Sequence, residues 1–190
     1  MSAETTTAET TTTQTATTGS GTTVSTTTGP FLDAALFMGM HSADEEVRRA
    51  CKGFFTEHLE GVPVLMSLEH VGRCDDLVWR FPRQTQDDYY PFMDNLHTDM
   101  QIVRIGYEEA DLRLALEAVA LCGLPLHERL LVAMAMRRDT VVATASPRLR
   151  ARSDLPVRPV GPVDREPAFP SRLELLYERS LVLRVDADDL

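Results

Sequence analysis

From Pro30 onward the chain alternates compact apolar runs with longer stretches of helical periodicity. Phe31–Asp33 and Val62–Met66 read as short buried strands, Gln101–Ile105 alternates into a third strand, and Thr140–Thr144 reads as the fourth. Ser42 and Glu45 form an S-x-x-E capping box that predicts a helix through about Leu59. Val47, Ala50, Cys51, Phe54, Phe55 and Leu59 supply its apolar stripe, and Gly61 ends it. Ser67 predicts the cap of a helix carrying Leu68, Val71, Leu77 and Val78, with Trp79 near its end. Ala34–Met40 reads as an apolar turn or helix, Phe81–Asp88 as a polar connector, and Tyr89–Thr98 as a helix. A helix over Glu108–Cys122 stops at Gly123, and Leu126–Met136 is too apolar all round to lie on a surface. Beyond Ser146-Pro147 a short turn leads into a connector with Pro156, Pro159, Pro162, Pro167 and Pro170. A helix at Arg172–Arg179 and a strand at Leu181–Val185 follow.

Strands alternating with helices predict an α/β fold, a three-layer α/β/α sandwich around a mostly parallel sheet of four to five strands. The length suits one domain with a sizeable core. Three segments are expected: a disordered Thr-rich tail over 1–29, the α/β domain over 30–152, and a Pro-rich connector with a helix and strand over 153–190.

Charge narrows the partners. The formal net charge is −10, so the surface as a whole repels phosphate backbones, and nucleic acid needs a local basic patch or a metal bridge. Cys51, Cys74 and Cys122 form no C-x-x-C pair and read as reduced thiols. No apolar run is long enough to cross a bilayer, and the first residues lack the basic start and apolar core of a secretory signal, so a cytoplasmic location without membrane contact is expected. The five histidines lack the i, i+4 pairing or Cys partners of a zinc site, and no G-x-G-x-x-G, P-loop or G-x-S-x-G motif is present.

Acidic and hydroxyl residues recur where strands end. Asp33 closes the first strand, Glu69 sits in the helix after the second, Glu128 opens the buried helix, and Thr144 and Ser146 close the fourth strand. In open parallel sheets ligands bind beyond the carboxyl ends of the strands, so these positions can meet there. Each acid also has an ordinary explanation: Asp33 as a helix N-cap, Glu69 and Glu128 in first turns favoured by the helix dipole.

Taken in order, FLDAALF, SLEHV, GLPLHERLLVAMAM and the strand end Thr144-Ala145-Ser146 followed by PRL resemble the PIN-domain family of metal-dependent ribonucleases, over about Phe31 to Arg152. The resemblance implies a Mg²⁺ or Mn²⁺ ion held by Asp33, Glu69 and Glu128, and hydrolysis of RNA phosphodiester bonds by a metal-activated water. It implies supporting roles for Thr144 and Ser146 and pairing of the domain as a homodimer. From the residues themselves, His70 and His127 each adjoin one of the acids and can support it, and the Arg148, Arg150, Arg152 run after Ser146 reads either as phosphate contacts or as solvated charges at a helix end. Two departures stand out. Glu128 replaces the family's Asp, and Ser146 replaces its fourth acid with a neutral hydroxyl. The second function class is therefore a catalytically weakened PIN-like module that binds a protein partner or RNA without cleavage.

Overall fold

The computed structural model describes residues 29–186. The Thr-rich tail, apart from Gly29, and the last four residues lie outside that range. Five strands, β1 (Phe31–Leu32), β2 (Leu65–Ser67), β3 (Val103–Ile105), β4 (Val142–Thr144) and β5 (Val157–Pro159), form one sheet in the order β3-β2-β1-β4-β5. Every neighbouring pair is parallel. Eight α-helices flank the sheet among the described residues: α1 (Ala34–Gly39), α2 (Glu45–His58), α3 (Leu68–Val78), α4 (Arg83–Asp99), α5 (Glu109–Glu117), α6 (Leu126–Arg137), α7 (Pro147–Arg150) and α8 (Ser171–Ser180).

Successive strand residues point to opposite faces, and the core divides accordingly. Phe31, Leu65 and Val142 pack with α5, α6 and α7, while Leu32, Met66 and Ala143 pack with α1, α2, α3, α4 and α8. The architecture is a three-layer α/β/α sandwich. Leu130 to Ala135 of α6 are all buried, which fits a helix apolar on every side. No helix among the described residues is long and apolar enough to cross a membrane.

Several local expectations differ from the structure. The cap of α2 is Asp44, whose Oδ1 accepts from Glu46 N at 2.8 Å and Val47 N at 3.3 Å, while Ser42 Oγ accepts from Asp44 N at 3.1 Å. Helix α4 begins at Arg83, inside the expected connector, because its first turns are polar and solvated and carry no stripe to read. Helix α5 stops at Glu117, and a 3₁₀ turn over Val119–Leu121 completes the segment expected to be helical. β5 lies within the Pro-rich connector. It is an edge strand, where a proline's missing N–H does no harm, and Val142 N donates to Pro156 O at 2.8 Å. The segment expected as a C-terminal strand makes one parallel bridge, Val185 to Ser42. Residues 153–186 are thus built into the same sheet and core, with α8 packed on α4.

Gly39 marks a close approach of α1 and α2. A Cβ there would lie 2.5 Å from the Sγ of Cys51, which is fully buried, so one of the two must shift. Gly39→Ala is expected to lower unfolding free energy by about 2 kcal/mol, measured by urea denaturation, through overpacking.

Candidate functional site

The parallel register assembles the site. Leu32 lies opposite Ala143, so the next residues, Asp33 and Thr144, meet at the carboxyl edge of β1 and β4. Asp33 caps α1, its Oδ1 accepting from Leu36 N at 2.6 Å. Thr144 Oγ1 donates to Asp33 Oδ2, and Ser146 N donates to Thr144 Oγ1 at 2.9 Å. Ser146 Oγ in turn donates to Glu128 Oε1 at 3.0 Å. The two hydroxyls thus fix the two buried carboxylates, Thr144 holding Asp33 and Ser146 holding Glu128. Burial pushes the Asp33 carboxyl up to about 6, opposed by the hydrogen bonds from Thr144, Leu36 and Ala145 and reinforced by the charge of Glu128.

His70 ties three helices together. Its backbone N–H donates to the capping Ser67 Oγ at 3.2 Å. Its Nδ1 accepts from Ala34 N at 2.9 Å, which leaves the ring proton on Nε2, 3.4 Å from the His127 carbonyl. Burial lowers its pKa to about 3, so the ring works here as a neutral strut between α3, α1 and α6. The pKa of His127 is lowered by partial burial and by Arg73.

These groups surround a cavity of about 340 Å³ lined by Asp33, Glu69, His70, Arg73, His127, Glu128 and Ser146, with Asp76 and Arg80 also on its wall. All three acids expected from the sequence therefore line one cavity. Asp33 and Glu128 are buried, whereas Glu69 is exposed. Thr144 lies behind Asp33 and does not line the cavity. Arg148 comes to the site, its Nε 3.2 Å and Nη2 3.1 Å from Glu128 Oε1. Neither Arg148 nor Arg150, on the same short helix, is among the residues of the cavity wall, and both are exposed. The sequence marked His70 through its place beside Glu69, but not its anchoring of α1 and α6, and Arg73 was not singled out.

A Mg²⁺ or Mn²⁺ ion takes hard oxygen ligands in a near-octahedral shell. Both Asp33 oxygens accept protein hydrogen bonds, and Glu128 Oε1 is shared between Ser146 and Arg148. Glu128 Oε2 is buried with no hydrogen-bond partner. Among the described residues no group of three His, Cys, Asp or Glu side chains is placed to hold one ion. The donors as arranged do not fit a resident divalent ion.

Fold and site together define an α/β sandwich with a carboxylate-lined cavity at the carboxyl edge of its parallel sheet. The chain belongs to the DUF6190 family, described as a family of unknown function, whose model matches residues 22–190. No curated protein matches the chain.

Proposed function

We propose that this chain is a PIN-like module that uses its acid-lined cavity to bind a protein partner and does not hydrolyse RNA. One observation carries the reading: the Arg148 guanidinium and the Ser146 hydroxyl both bind Glu128 Oε1, the carboxylate that a catalytic ion would need. The net charge of −10 and the mixture of Glu69, Asp76, Arg73 and Arg80 on the cavity wall favour a protein over a phosphate backbone. A mixed RNA pool incubated with Mn²⁺ should show no cleavage beyond that given by Asp33→Asn. Fluorescence anisotropy with labelled RNA at physiological salt should likewise detect no binding.

A second reading, Mg²⁺- or Mn²⁺-dependent ribonuclease activity through Asp33, Glu69 and Glu128, has its own support. The three acids share one cavity, and Glu128 Oε2 is a buried oxygen that lacks a partner. Leaving such an atom unpaired costs about 1–3 kcal/mol or more, which an added ligand would recover. Cleavage by the unaltered protein that Asp33→Asn abolishes would replace the first reading with this one.

A further inference from the structure

A second cavity, of about 320 Å³, lies between α3 and α4 and shares no wall residue with the acid-lined one. The turns of α3 separate the two: Glu69, Arg73 and Asp76 face the first cavity, Val71, Cys74 and Asp75 the second. The sheet register supplies its floor. Met66 lies opposite Arg104, so both project to the face that α3 and α4 cover. Arg104, on the edge strand β3, there meets His97 in the last turn of α4, its Nη2 3.2 Å from His97 Nδ1. Phe37, Tyr89, Tyr90, Met66 and Met93 make the walls aromatic and sulfur-bearing. Trp79, the chain's only tryptophan, also lines the cavity and is 66% exposed.

We infer that this cavity binds a small aromatic carboxylate, its ring among the aromatic and methionine side chains and its acid group on Arg104 and His97. Both of those groups offer donors. A guanidinium only donates, so His97 Nδ1 is the acceptor and the ring proton lies on Nε2. His97 is 8% exposed, and burial lowers its pKa to about 4, so the ring is neutral at pH 7. Among the described residues, nothing accepts from that Nε2–H, and no carboxylate pairs with Arg104. Two unmatched donors call for an acceptor, and a carboxylate is the one a guanidinium binds best. The acids on the wall do not supply it: Asp75 takes the Tyr90 hydroxyl at 3.4 Å, and Asp94 is exposed. The volume stands at the low end of small-molecule sites, which are mostly apolar with a few placed polar groups. It suits one ring with a short acid arm.

The test uses the full chain and hydrocinnamate, followed by Trp79 fluorescence, excited where tyrosine does not absorb, and by isothermal titration. The unaltered protein should bind saturably, with a dissociation constant below about 1 mM. Hydrocinnamamide and phenethylamine, which lack the negative charge, should bind at least about tenfold more weakly. Arg104→Gln removes an exposed side chain whose partner is His97, and should weaken hydrocinnamate binding by about tenfold or more. Val71→Phe fills the cavity and should abolish binding in a chain whose urea transition shows it folded. Silence of the unaltered protein in both readouts would overturn the inference. So would an amide or amine that binds as tightly as the acid, or an Arg104→Gln chain of undiminished affinity. Binding retained by a folded Val71→Phe chain would place the ligand elsewhere and overturn it too. Should Val71→Phe not fold, Arg104→Gln and the two uncharged-acid analogues still decide.

Discussion

Lys52→Met is expected to lower unfolding free energy by about 3 kcal/mol, at the lower end of the range for removing one partner of a buried ion pair. Lys52 is the chain's only lysine, and it is 2% exposed on α2. Its Nζ lies 2.6 Å from Glu174 Oε1 and 3.3 Å from Glu166 Oε1, and 4.3 Å from the centre of the Tyr177 ring. Methionine conserves most of the volume but leaves two carboxylates facing an apolar wall. Their side chains are 22% and 31% exposed, so water recovers part of their solvation, which is why the lower end applies. Glu174 Oε2 also accepts from Phe169 N at 2.7 Å, so the loss spreads into the segment that leads to α8. Urea midpoints at neutral pH measure the effect. Lys52→Met combined with Glu174→Gln should recover part of the loss, because a double-mutant cycle removes the stranded charge along with its partner. A single variant within 1 kcal/mol of the unaltered protein would mean that the lysine contributes little net stability beyond an apolar side chain of its size.

That contact also shows what a sequence withholds. The stripe of α2 was legible from Val47 to Leu59, because burial of apolar residues repeats with the helix. Lys52 sits just outside it, and nothing in a linear pattern says that two glutamates more than a hundred residues away will close over it. Asp111 gives the same lesson. Nothing in the linear pattern marks it, yet it is fully buried and accepts from both Arg137 and Arg138. Buried polar groups are set by partners, and partners are a property of the assembled chain.

The strands and the sheet class were legible because short apolar runs between helices leave few other architectures. β5 escaped because its flanking prolines look like connector. The convergence of Asp33, Glu69 and Glu128 on one cavity was legible from their places at strand and helix ends. Whether they would share an ion or divide among protein donors was not, because that depends on ångström-scale positions of Ser146, Thr144 and Arg148.

Asp33→Asn is expected to stabilise the protein at pH 8 and to lose that advantage in acid. Asp33 is 1% exposed, and its carboxyl is raised from an ordinary 3.8 to about 6, chiefly by burial. The folded state therefore holds a proton that the unfolded chain has already released between those two values. Stability must fall as pH rises through that window and stay lowered above it. A displacement of about two pKa units corresponds to about 3 kcal/mol against the ionised fold. Asparagine keeps an oxygen for Leu36 N and can turn its amide toward Thr144 Oγ1, at a cost of about 1 kcal/mol for the hydroxyl proton left without its acceptor. The net expectation is a gain of about 2 kcal/mol at pH 8, shrinking to nothing or reversing near pH 4.5, measured as paired urea midpoints. A difference that does not change with pH would show that the Asp33 charge carries no such cost. The comparison also bears on why an aspartate stands there at all. Asparagine and serine cap helices about as well as aspartate does, so capping alone does not account for burying a charge that weakens the fold. The carboxylate is better explained by what it presents to the cavity than by what it gives to α1.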